Sequence, residues 1–100
     1  MKILAEVCVI PINGSTSIRE EVAIAHQILK DTGCIVELHG YGTNIEGDFD
    51  QVTNAIKKIH KTLHKMGTSR IHTSLKISSR IDKSQSLKQK VSAVNALLQE

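Results

Sequence analysis

Aromatic side chains are nearly missing from this sequence: there is no tryptophan, and Tyr41 and Phe49 are the only rings of the phenyl or phenol type in 100 residues. A small sheet that reads RNA stacks bases on aromatic side chains. Neither ring lies in the first or last strand expected here, so nucleic acid is not an expected partner. Long apolar runs are missing too. MKILAEVCVIPI is too short to span a bilayer and has no small-residue cleavage site, so it reads as a strand and no membrane association is expected. Cys8 and Cys34 stand in apolar runs without metal-ligand spacing. Buried free thiols in a cytoplasmic protein are the expectation.

Catalytic signatures are equally scarce. There is no Walker-type glycine-rich loop, no nucleophile motif and no arginine-bearing loop of the acylphosphatase kind, so no catalytic residue, cofactor or enzymatic activity is expected. His60 and His64 are four apart on one helix, a spacing that can hold zinc. No third ligand accompanies them, and they stand among Lys57, Lys61 and Lys65, so a solvated pair is expected rather than a metal site. The net charge of +3 is mild. Its excess sits late, at Arg70, Lys76, Arg80, Lys83, Lys88 and Lys90; it could attract phosphate, but a solvated surface accounts for it.

What is present is a regular alternation of elements within one domain, 1–100. Lys2 to Pro11 is rich in Ile, Val and Leu and reads as a strand. Ser17-Ile18-Arg19-Glu20 has the form of a capping box. Val22, Ala25, Ile28 and Leu29 follow at helical spacing, up to Gly33. Cys34 to His39 is a second strand, Gly40-Tyr41-Gly42 a turn, and Thr43 to Glu46 a third strand. Asp48-Phe49-Asp50-Gln51 opens a second helix whose stripe runs Val52, Ala55, Ile56, Ile59, Leu63 and Met66, closed by Gly67. Arg70 to Ser78 alternates as a fourth strand, and Leu87, Val91, Val94, Leu97 and Leu98 mark a last helix.

The order strand–helix–strand–strand–helix–strand is the split arrangement of ferredoxin-like α+β domains. With right-handed crossovers both helices cover one side of an antiparallel sheet ordered 4-1-3-2, and the C-terminal helix is an addition. The other side then carries Ile35, Glu37 and His39; Asn44 and Glu46; and His72, Ser74, Lys76 and Ser78. The first strand is apolar on both sides and fits either way round; placing Ile3, Ala5, Val7 and Val9 inside sends Leu4, Glu6, Cys8 and Ile10 to this face, and the reverse would turn Glu6 inward. In that order Glu6 is expected between Glu46 and His72 or Ser74. Apolar side chains beside carboxylates and imidazoles suit a ligand or a second subunit better than open water.

Several phrases, VCVIPI with its Ser/Thr loop, LHGYGTNIEG, RIHTSLKI and SRIDKSQSLKQKV, together resemble the thiamine-binding family of small ferredoxin-like proteins, in wording closest to fungal or other eukaryotic members. The resemblance implies a ferredoxin-like fold with an added C-terminal helix and association through sheet faces into dimers or tetramers. It also implies a thiamine or hydroxymethylpyrimidine ligand and no established catalysis. The family-like positions include Ser17, Thr43, Glu46, Thr73 and Arg80. Thiamine is a cation bearing a flat aminopyrimidine, which wants carboxylates, hydroxyls and apolar walls. The candidate ligand set is therefore Glu6, Ser17, His39, Thr43, Glu46, His72, Thr73 and Arg80. A homo-oligomer without ligand, structural or regulatory in role, is the alternative.

Overall fold

The computed structural model describes residues 1–14 and 18–99. The elements come in the expected order: β1 (Lys2–Ile12), α1 (Arg19–Lys30), β2 (Ile35–His39), β3 (Gly42–Asp48), α2 (Phe49–Lys65), β4 (Arg70–Ser78) and α3 (Leu87–Leu98). The strands form one antiparallel sheet in the order β2-β3-β1-β4, which is the ferredoxin-like α+β arrangement.

The period-two alternation of β1 sends Ile3, Ala5, Val7 and Val9 toward the helices, where they join Ile45 of β3. The stripes of α1 and α2 supply Ala25, Leu29, Val52, Ala55, Ile59 and Leu63, and Ile45, Val52, Ile59 and Leu63 are completely enclosed. Two histidines tie helices to the sheet across this core. His26 of α1 meets the Thr43 hydroxyl at 3.2 Å, and His60 of α2 meets that of Thr73 at 2.6 Å. His64 also has a local partner, the carbonyl of Thr68 at 2.7 Å. Both members of the spaced histidine pair are thus committed to hydrogen bonds that fix the helix.

The helix starts differ from the sequence pattern in detail. α1 opens at Arg19 with Ile18 at the N-cap position; the capping box read on Ser17 lies outside the described residues. Asp48 caps α2 by accepting from the Asp50 N–H at 3.0 Å. Gln51 does not complete a box; its side-chain oxygen faces the Cys34 thiol at 3.6 Å instead. The complete capping box belongs to α3, where Ser86 and Gln89 satisfy each other's backbone N–H groups. Its S-x-x-Q signature stands in the sequence and was not among the expected caps.

Two glycines allow backbone to approach where no side chain fits. At Gly42, with φ +155, a Cβ would meet the Val7 carbonyl oxygen at 2.6 Å; at Gly47 it would meet the Cys34 sulfur at 2.4 Å. Gly42 lets β3 begin close against β1. Gly47 makes room for the thiol that packs beneath it.

β1 outruns its neighbour. It pairs with β3 from Lys2 to Val7 but with β4 from Leu4 to Ile12. From Cys8 onward β1 is therefore paired on one side only. Pro11, which has no N–H to give to a ladder, sits in that half-paired stretch.

Candidate binding site

The helix-free face of the sheet is assembled as its alternation implies, but in a different register. Glu6 lies opposite Asn44 on one side and Lys76 on the other; Glu46 lies opposite Leu4, and His72 opposite Ile10. Each neighbour expected for Glu6 has moved along its strand by an even number of residues, which preserves the face while changing the partner.

Glu6, His39 and Asn44 form the polar cluster of this face. The His39 Nε2 is 3.0 Å from the Asn44 Oδ1 and 3.4 Å from the Glu6 Oε2. The Tyr41 backbone N–H donates to His39 Nδ1 at 3.3 Å. A nitrogen that accepts keeps its lone pair, so in the neutral ring the proton is on Nε2, aimed at Asn44 and Glu6. The β2–β3 turn thereby sets the tautomer. Asn44, not in the candidate set, joins it because register puts it across from Glu6.

At the end of the sheet where β3 begins and β1 runs on beyond it, a cavity of about 210 Å³ opens between α1 and the strands. Val7, Val9, Val22 and Leu29 give it apolar walls, the His26–Thr43 pair supplies its inner polar groups, and His39 and Tyr41 border it. Tyr41 is 88% exposed. His26 went unremarked as a site residue, although its place one turn from Val22 put an imidazole on the apolar stripe of α1.

The remaining candidates are dispersed. Thr43 reaches this cavity, but Thr73 is held beneath the sheet by His60. His72 is exposed near the start of β4. Arg80 lies in the β4–α3 loop, forked onto the Asp82 carboxylate with Nε at 2.7 Å and reaching Gln85 at 3.2 Å. That pairing draws the Asp82 carboxyl down from 3.8 to about 2. Ser17 lies outside the described residues.

Glu46 has a structural assignment of its own. Only 4% of its side chain is exposed; one oxygen accepts from the Leu87 N–H at 3.0 Å, and the other faces the Lys2 ammonium at 3.2 Å. Leu87 is the first residue of α3, so a buried carboxylate satisfies an orphan N–H at the positive end of a helix. This contact brings the root of α3 over Leu4, which is only 9% exposed although it points to the helix-free side. The far part of α3 stands open: no described residue of the helix is buried, and Val91, Val94, Leu97 and Leu98 are 56–77% exposed.

Comparison with known proteins places this geometry in context. The model of a family described as thiamine-binding protein matches residues 5–95. The UPF0045 protein sll0230 of Synechocystis is 35% identical, covering 99% of this chain and 82% of its own length. The fungal UPF0045 protein ECM15 of Eremothecium gossypii is 31% identical, covering 97% and 93%. Among solved structures, the hypothetical protein MJ1052 of Methanocaldococcus jannaschii superposes with a TM-score of 0.87 at 34% identity, over 94% of this chain and 96% of that one. A Thermotoga maritima protein named provisionally for thiamine biosynthesis or salvage shares the fold, with a TM-score of 0.81 at 20% identity over 94% and 99%.

Proposed function

Because the chain belongs to the thiamine-binding protein family, we propose that it binds thiamine or a thiamine-pyrimidine-like ligand where the helix-free face meets the cavity at the end of the sheet. The observation that carries this reading is the cavity itself: apolar walls with a small set of convergent polar groups, the usual composition of a small-molecule site. Its volume of about 210 Å³ is below the roughly 300–1,000 Å³ of pockets that enclose drug-sized ligands. It suits one ring. The aminopyrimidine enters against Val7, Val22 and Leu29, with Thr43 and His26 as its hydrogen-bond partners. The cationic thiazolium stays at the mouth, near Tyr41 and on the side of His39 and Glu6, where an aromatic face and a carboxylate both favour positive charge. Glu46 and Arg80 contribute by fixing α3 and its loop, and the role is binding rather than catalysis.

Calorimetric titration with thiamine and with its hydroxymethylpyrimidine portion tests the reading. Saturable binding of both is expected, weakened by Thr43→Val and abolished by Val22→Phe, which fills the cavity. Absence of heat at about 1 mM of either ligand, or variants that bind as the parent does, refutes it.

A homo-oligomer, dimer or tetramer, is the second reading, favoured by the uncovered Val91, Val94, Leu97 and Leu98 of α3 together with Ile10 and Ile35 on the sheet. Sedimentation of the same samples with and without thiamine separates a ligand-binding oligomer from an oligomer that takes no ligand. Both cysteines are free thiols, which suits the reducing cytoplasm; among the described residues no helix is long and apolar enough to cross a membrane.

A further inference from the structure

At the opposite end of β1 the loop from Ser79 to Gln85 arches over the start of the strand and leaves an open cleft of about 860 Å³. The two openings share no lining residue, and Leu4, on the wall of this cleft, is three residues from Val7, the nearest β1 residue on the wall of the small cavity, about 10 Å at the rise of an extended strand. The two openings are therefore separate places. Their chemistry differs as well, because four basic side chains, Lys2, Arg80, Lys83 and Lys90, line the cleft against one carboxylate, Asp82.

We propose that this cleft is a second binding site, taking a small molecule that carries a phosphate or diphosphate group. Two of its cations are already used: Lys2 faces Glu46 at 3.2 Å, and the Arg80 fork is closed on Asp82. Among the described residues no carboxylate lies within ion-pair distance of Lys83 or Lys90. The cleft keeps two unneutralised ammonium groups, with the hydroxyls of Ser79 and Ser84 beside them.

That donor set selects its ligand. A planar carboxylate is best recognised by a bidentate guanidinium, and the guanidinium lining this cleft is taken. Ammonium groups act as point charges, and hydroxyls turn to suit their partner, which matches the tetrahedral, multiply charged oxygens of phosphate. No aromatic side chain lines the cleft, so stacking of successive bases, which single-stranded nucleic acid requires, has no platform. Arg80 shapes the site instead of binding in it. Its bonds to Asp82 and Gln85 brace the loop segment that carries Lys83, one of the residues lining the cleft.

The experiment is calorimetry with sodium pyrophosphate as the probe. One saturable site per chain is expected, and Lys83→Ala/Lys90→Ala, both exposed and remote from the core, is expected to weaken it about tenfold or more, the loss of charge-assisted hydrogen bonds. A charge-matched control, Lys57→Ala/Lys61→Ala on the solvent side of α2, is expected to change affinity by less than about twofold. Equal losses in the two double variants mean diffuse attraction to a basic protein and overturn the proposal. So does the absence of saturation at about 10 mM pyrophosphate, or acetate binding as tightly. Thiamine titrated into the Lys83→Ala/Lys90→Ala protein keeps this result distinct from the first site: its binding is expected unchanged.

Discussion

Replacing Glu46 by alanine is the sharpest probe of how this molecule is built, because this buried carboxylate holds the first turn of α3 to the sheet. The substitution removes a charge-assisted hydrogen bond to the Leu87 N–H, worth about 1.5–3 kcal/mol in a part-buried setting. It also removes the pairing with Lys2, which is 54% exposed and so adds at most about 1 kcal/mol. The loss is bounded, because α3 buries no residue and can lift away to let water reach the freed N–H. About 2–3 kcal/mol is the expected total. For a domain of this length each kcal/mol lowers Tm by about 4–8 °C, so a fall of roughly 10–20 °C is expected in the ligand-free protein. Differential scanning calorimetry measures it, and amide hydrogen exchange locates it, with α3 losing protection before the sheet does. Glu46→Gln keeps an acceptor but loses the charge and is expected to fall about half as far. Were Glu46 instead a group held ready for ligand, its removal would leave ligand-free stability unchanged or raise it. A Tm for Glu46→Ala within about 2 °C of the parent, with α3 still protected, refutes the anchor.

Two further outcomes follow from local geometry. Gly47→Ala forces a Cβ onto the Cys34 sulfur and is expected to cost about 1–3 kcal/mol in denaturant unfolding; the penalty shrinks in a Cys34→Ala background, and additive losses would show that the two do not touch. Asp82 titrates near 2 because the Arg80 guanidinium holds its ionised form. A depressed carboxyl gives its stabilising contact in full above its ordinary value of 3.8 and loses it as pH falls through about 2, so the loop is expected to stay pinned at pH 4. Carbon-detected NMR of the Asp82 carboxyl reads the midpoint, which Arg80→Ala should return toward 3.8.

Much of the fold was legible in the chain because each element carries its own period. The alternation of Ile71, Thr73, Leu75 and Ile77 against His72, Ser74, Lys76 and Ser78 gave β4 both its identity and its faces, although Leu75 stays 37% exposed, and the stripe through Val52, Ala55, Ile59 and Leu63 gave α2 its buried side. The candidate set was harder to read. Thr43 and Thr73 alternate onto the helix side of the sheet, where each hydroxyl meets a helix histidine. Their partners His26 and His60 come from helices 17 and 13 residues away, and nothing local signals such a pairing.

The sequence by itself determined which residues of a strand share a face, since side chains alternate with a period of two whatever lies next to them; in β1, apolar on both sides, only the structure decided that Ile3, Ala5, Val7 and Val9 are the inner set. It did not determine who stands beside whom. Glu6 keeps its face under any even slip of β3 or β4, and only the assembled sheet decides that Asn44 and Lys76 flank it while Glu46 is carried off to hold α3. Register is fixed by core packing and turn geometry acting across the whole sheet, and that information belongs to no single stretch of chain.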